Sequence, residues 1–299
     1  MELVIRNLHT RETDLADSGV LEVATNDVVV YQGRYGEDLG IALGPVSESN
    51  RSQFRKTYRI DRVATQTDRD RFYEQEREAH QAVRVCANRV LDHDLDMRIV
   101  SAHYLLDRSK LLFFFVSEHR VDFRSLVRDL VGHFHIRVEL RQIGVRDETR
   151  IIGGLGVCGR RLCCNGVSDR LPPVSIRMAK DQNYSLNSMK VSGPCGRLLC
   201  CLSYEHEFYR DERRHYPKEG SLVKVDTEVY RVHEINILSG QVRMFGPHGQ
   251  YTSVPVCALE RDESLPRGAD RRRGGRGGDP QWVLNARNCP AAQTVIDEG

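Results

Sequence analysis

The sequence predicts an α+β protein assembled from several small domains. Three observations lead there. Between residues 55 and 143 the hydrophobic period alternates in the order β-α-β-β-α-β, which is that of a ferredoxin-like fold. Short alternating runs punctuated by glycine flank it in residues 1–54 and 217–260. Residues 144–216 are rich in Gly, Cys and Arg and carry little periodicity, too long a stretch to be one loop of a compact domain.

Within 1–54, Val20–Ala24, Asp27–Tyr31 and Ile41–Val46 read as strands of a small β domain, with Gly33, Gly36 and Gly40 as turn signals. In 55–143, Lys56–Val63 reads as a strand. A long helix follows from about Thr67 to Leu91, its face set by Phe72, Ala79, Val83, Cys86 and Val90. Met97–Leu106 and Lys110–Ser117 form a hairpin around Asp107-Arg108-Ser109. Asp122 is the expected N-cap of a helix whose stripe is Phe123, Leu126, Val127, Leu130, Val131 and Phe134. Ile136, Val138 and Leu140 alternate with charges as a half-buried strand. In 217–260 four short strands suggest an SH3-like barrel. The Arg/Gly-rich tail 261–299 is expected to be disordered.

The chain has 299 residues, 40% hydrophobic and 29% charged, an ordinary globular composition. The longest apolar run, Leu111–Val116, has six residues, far below the ~20 a membrane helix needs. No basic segment leading into an apolar stretch opens the sequence, so the cytoplasm is the expected location. The net charge of +2 predicts no nucleic-acid binding by itself, but residues 137–201 hold eleven cations against five anions.

Six of nine cysteines fall between 158 and 201. In the cytoplasm such a cluster reads as a metal or redox site before a disulfide framework. Gly156-Val157-Cys158-Gly159-Arg160-Arg161-Leu162-Cys163-Cys164 recurs as Gly193-Pro194-Cys195-Gly196-Arg197-Leu198-Leu199-Cys200-Cys201, identical at seven of nine positions. Each copy is C-x4-C-C, a three-sulfur claw whose internal glycine lets both ends face one point. The adjacent arginines Arg160 and Arg197 are expected to favour thiolates. A four-thiolate centre takes four of the six sulfurs, or each copy half-builds a centre that another protein completes. Spacing alone leaves iron–sulfur and zinc both open, with His206 and His215 as further zinc candidates. Cys86 reads as core, Cys257 as the end of a strand and Cys289 as tail.

At these residues the chain resembles the RicT (YaaT) family of bacterial regulatory subunits, which carry the PSP-one C-terminal domain. The resemblance rests on Val121–Arg124, Arg137–Glu148, Gly153–Gly156, the first cysteine copy, Pro173–Ile176, Met178–Asn183, Ser185–Asn187 and Ser192–Cys201. It implies a non-catalytic cytoplasmic adaptor that binds a 4Fe–4S cluster through Cys158, Cys163, Cys164, Cys195, Cys200 and Cys201. It further implies assembly with RicA-like and RicF-like small helical subunits and action on endoribonuclease Y dependent mRNA maturation. The alternative is a zinc-stabilised nucleic-acid-binding protein, motivated by the basic segment, the barrel and the Arg/Gly tail. Lys180, Asp181, Gln182 and Asn183 read first as a turn with side-chain caps. A partner or RNA contact, shared with Arg160 and Arg197, is the second reading. No G-x-x-x-x-G-K-S/T loop, H-E-x-x-H or C-x3-C-x2-C occurs, so independent catalysis is not expected.

Overall fold

The computed structural model describes residues 1–261 and 282–285. It divides into two compact units, Met1–Pro173 with Ser192–Cys200, and Val174–Val191 with the residues from Cys201 on.

The first unit begins with a closed five-stranded barrel: β1 (Glu2–Asn7), β2 (Thr13–Asp17), β3 (Val28–Gln32), β4 (Glu37–Pro45) and, after the short helix α1 (Glu48–Arg51), β5 (Thr57–Val63), in the order β1-β2-β5-β3-β4. Leu3, Ile5, Ala16, Val29, Tyr31, Ala42 and Ile60 fill it. Two of its strands, β1 and β2, were not expected. Their inward faces carry Asn7 and Thr13 beside Leu3, Ile5 and Leu15, which blurs the alternation. The expected strand at Val20–Ala24 is irregular backbone, and only Leu21 and Val23 pack on the barrel.

The capping box of Thr65 with Asp68 starts the long helix α2 (Gln66–Asp92). Then come β6 (Arg98–Tyr104), β7 (Lys110–Val116), α3 (Arg124–Phe134) and β8 (Arg137–Gln142). The N-cap of α3 is Phe123 rather than Asp122, whose carboxylate instead accepts from the backbone and side chain of Arg124. The three strands form one sheet, β6-β7-β8, with β7 and β8 parallel. Here the ferredoxin-like expectation is corrected. The element order is as read, but β5 pairs with β2 and β3 of the barrel and the second sheet has three strands. Alternation in a single strand says which face is buried and not which neighbour it pairs with. The run of apolar residues in β7 is explained by burial on both faces. Leu111, Phe113 and Phe115 pack under α2 and α3, while Leu112 and Phe114 pack on the other side with Leu105.

The remainder of this unit holds helices α4 (Val145–Ile152) and α5 (Cys163–Gly166). The second unit contains α6 (Ile176–Asp181), α7 (Ser188–Val191) and all but the first residue of α8 (Cys200–Glu212). It continues with β9 (Leu222–Val225), β10 (Glu228–Asn236), β11 (Gln241–Phe245), β12 (Tyr251–Pro255), β13 (Leu259–Arg261) and β14 (Trp282–Leu284). The SH3-like barrel expected here is a six-stranded sheet, ordered β12-β11-β10-β9-β14-β13. The outer edge of β9 is taken by β14, in parallel, with Trp282 opposite Val223. The tail expected to be disordered therefore contributes a strand; its residues 262–281 and 286–299 lie outside the described ones. Cys257, read as a plain strand-end residue, is disulfide-bonded.

Candidate metal centre

The two sequence copies fold into the same turn. In the first, Leu155 bridges Arg161, Gly156 N–H donates to the Arg160 carbonyl at 2.8 Å, and Gly159 N–H donates to the Gly156 carbonyl at 3.0 Å. In the second, Ser192 bridges Leu198, and the corresponding bonds are Gly193 to Arg197 at 2.8 Å and Gly196 to Gly193 at 2.9 Å. Gly159 and Gly196 adopt φ of +74° and +72°. A β-turn closed by a left-handed residue is a standard tight hairpin, and it needs glycine there. The first cysteine of each copy sits at the tip. The next two open a helix: Cys163 and Cys164 begin α5, Cys200 and Cys201 begin α8. Free backbone N–H groups at such a start favour a thiolate or another anion.

Within the first unit, thiols of one copy act electrostatically on those of the other. Burial pushes the Cys164 thiol up, and the neighbouring Cys200 and Cys195 thiols add to it. Burial likewise raises Cys200, with Cys163 and Cys195 adding to the rise. The interactions between copies thus run from Cys195 and Cys200 to Cys164 and from Cys163 to Cys200. Burial and like-charged neighbours both favour the neutral thiol at Cys164 and Cys200, and a cation held beside them would reverse that. Cys158 is exposed and Cys201 half-buried; the division between the units falls between Cys200 and Cys201. Among the described residues the six sulfurs form no group of three within 4.8 Å.

The arginines that lower Cys164 and Cys200 lie outside the duplicated motif. Arg160 and Arg197 are exposed. Arg150 draws the Cys164 pKa down and Arg146 draws Cys200 down, and both lie on α4. Arg150 is buried. Its guanidinium donates to the Thr10 carbonyl at 3.1 Å and pairs with Glu12 at 3.1 Å and Asp147 at 2.9 Å. Asn165 of α5 donates to the Arg150 carbonyl at 2.9 Å, tying the first cysteine helix to α4. Arg146 is different: its Nε is buried and has no hydrogen-bond partner, a costly state for a cationic donor. Both were counted in the basic segment, but nothing in sequence spacing distinguishes them, because α4 reaches the thiols only in the folded chain.

The second group of expected contact residues is mostly committed to internal bonds of the second unit. Gln182 is buried and its side-chain amide donates to the Leu202 carbonyl at 2.5 Å; Asn183 donates to the Ile235 carbonyl. The Asp181 carbonyl accepts from Arg213 at 3.2 Å. The reading as a turn with caps describes these residues, and burial removes Gln182 from any contact surface. Lys180 is exposed. His206 lies 3.9 Å from Asp181 and His215 3.9 Å from Glu212, so each has an acidic neighbour inside the second unit.

Beside the second turn an open groove of about 820 Å³ is lined by Arg98, Ser117, Gln142, Val145, Glu148 and Arg197, among others. In the segment around the first turn, Ile152, Leu155, Val157 and Val167 are large apolar side chains left exposed.

Comparison with known proteins adds an independent line. The family model described as the PSP1 C-terminal conserved region matches residues 58–143, and that described as the third domain of PSP1-like proteins matches 173–216. The chain is 46% identical over 180 residues to the stage 0 sporulation protein YaaT of Bacillus subtilis, covering 60% of this chain and 66% of that protein. The aligned part is thus just under two thirds of that relative. An uncharacterized protein of Schizosaccharomyces pombe is 34% identical over 117 residues, 39% of this chain and 16% of its own length. No solved structure matches.

Proposed function

We propose that the chain, which matches two PSP1 family models and is similar to the B. subtilis YaaT protein, is a regulatory subunit of that family without catalytic activity of its own, built around a 4Fe–4S cluster. The relative's printed name associates that protein with stage 0 of sporulation, and a role in a developmental or RNA-processing programme is proposed here by extension. The observation that carries the proposal is that the two copies fold into the same turn and that thiols of one copy act on those of the other, Cys195 and Cys200 on Cys164 and Cys163 on Cys200. Four thiolates are what such a cluster requires.

One further feature supports a thiolate-ligated centre. The buried, unpartnered Nε of Arg146 suits an anionic neighbour, and a thiolate-ligated cluster carries net negative charge. Cys163, Cys164, Cys195 and Cys200 would hold the cluster, Arg146 and Arg150 would offset its charge, and the glycine turns would set the sulfur directions. The cluster supplies an oxygen-sensitive link whose loss would free the two claws from one another.

Exposed Cys158, with the exposed apolar side chains of the same segment, is the proposed contact for partners of the RicA and RicF kind. Through them the chain would act on endoribonuclease Y dependent maturation of mRNA. The test is anaerobic purification with and without candidate partners, followed by iron, sulfide and zinc analysis. Equal iron and sulfide supports the cluster. Stoichiometric zinc with no sulfide would select the zinc-stabilised nucleic-acid-binding reading instead.

A further inference from the structure

Far from the cysteines in sequence, three side chains of the first unit aim their ligand atoms at one point. His9 follows β1, Glu76 lies on α2 and His103 on β6. His9 Nδ1 is 2.8 Å and His103 Nδ1 3.3 Å from the same oxygen, Glu76 Oε1. The three ligand atoms lie within 4.8 Å of one another. We propose that His9, Glu76 and His103 form a second metal site, for a single divalent first-row cation of the zinc type, joining the barrel to α2 and the three-stranded sheet. This site does not depend on the cysteine centre.

The two nitrogen–oxygen separations are close to those of such a site. Around a zinc with bonds of about 2.0–2.1 Å, neighbouring N and O ligands stand about 2.9–3.4 Å apart, and the two N···O separations span nearly that range. Two imidazoles and a carboxylate are borderline ligands suited to zinc or iron(II) rather than to magnesium or calcium.

The outer ring nitrogens are already engaged, as at metal-bound histidines, whose second nitrogen is held by a carboxylate or other polar group. His103 Nε2 meets Asp38 Oδ2 at 2.9 Å. Asp38 is itself fixed by Asn7 Nδ2 at 2.7 Å and by the Leu39 N–H at 2.8 Å. His9 Nε2 meets Ser101 Oγ at 3.3 Å. The imidazoles stack with centroids 4.4 Å apart, flanked by Phe114 and Phe72. Both histidine side chains are under 10% exposed, while Glu76 is 28% exposed and marks the side from which an ion enters. Without a cation the same atoms must be held by protons, His9 and His103 both donating from Nδ1 to Glu76, with His103 positively charged between Glu76 and Asp38.

Cobalt(II) and zinc(II) alone, titrated into the full chain, separate the two states. The chain carries Cys163→Ser, Cys164→Ser, Cys195→Ser and Cys200→Ser, so that the thiol centre does not compete. The proposal expects one equivalent of cobalt with a nitrogen/oxygen spectrum free of thiolate charge transfer, and at least tenfold weaker binding after adding Glu76→Gln. Absence of saturable binding, or binding that Glu76→Gln leaves unchanged, overturns it. Should the four-serine chain fail to fold, the readout is the metal content of the wild-type chain against Glu76→Gln after saturation with zinc. A difference of one equivalent supports the site, and equal contents overturn it.

Discussion

Replacing Gly159 or Gly196 by alanine tests whether the duplicated turns exist to aim sulfur. Both glycines have φ beyond +70°, and a Cβ at either would meet nothing within 4 Å. The whole penalty is therefore in the backbone. A left-handed conformation costs an L-residue about 1–2 kcal/mol, which converts to a roughly 5–30-fold change in an equilibrium constant. The turns are small, each closed by few hydrogen bonds, so without metal they can relax out of the strained conformation. With metal they cannot, and the cost falls on metal retention. In an anaerobic chelator challenge, the chelator concentration that removes half the metal is expected to fall about 5–30-fold for each variant. Gly159→Asn should lie between wild type and Gly159→Ala, because asparagine tolerates this region better. Gly240→Ala is the control: it has φ of +68° and open space, in the turn between β10 and β11 of the second unit. It should lower melting temperature and leave the chelator midpoint unchanged. Wild-type metal retention in both Gly159→Ala and Gly196→Ala, or an equal loss in Gly240→Ala, would refute the reasoning.

Asp68, capped onto Thr65 and paired with Arg62, has its carboxyl held far below the ordinary value of 3.8, the Arg62 hydrogen bond being the largest cause. A lowered carboxyl stabilises the fold above its unfolded pKa and loses that contribution as pH falls, so Asp68→Asn should cost about 1–2 kcal/mol at neutral pH. The gap from wild type in denaturant melts should narrow progressively below pH 3.8. Exposed Cys158 should be alkylated first in the native protein, while Cys86, fully buried and pushed up to about 12 by that burial, should react only on unfolding; peptide mapping of the labelled chain checks the order. Trp282, the one tryptophan of the chain, packs on the core of the six-stranded sheet. Its fluorescence should shift to the red as that sheet melts, and Trp282→Ala should lower the stability of the second unit by about 2 kcal/mol.

What the sequence revealed, and what it concealed, follows from the range of the interactions. Helices α2 and α3 and the β6–β7 hairpin were legible because their stripes are local and repeat at a fixed period. The partner of β5 was not, since pairing is decided by residues elsewhere in the chain. β1 and β2 hid because Asn7 and Thr13 point inward among apolar neighbours. Residues 282–284 lay in a segment whose composition suggested no structure. The claws were legible through exact duplication of their cysteine spacing. The arginines that face them were hidden because α4 brings Arg146 and Arg150 in from outside the motif. His9, Glu76 and His103 stand 67 and 27 residues apart along the chain, and only the packing of α2 against the barrel and β6 joins them.

The central claim is that two C-x4-C-C copies close on one polynuclear centre. It is tested most directly by counting iron and acid-labile sulfide in the anaerobically purified chain, alongside Cys164→Ser and Cys200→Ser. The account predicts about four of each per centre in the wild type, and loss of iron and sulfide together in either variant. Zinc in place of both, or a full iron and sulfide complement in the two serine variants, would contradict it.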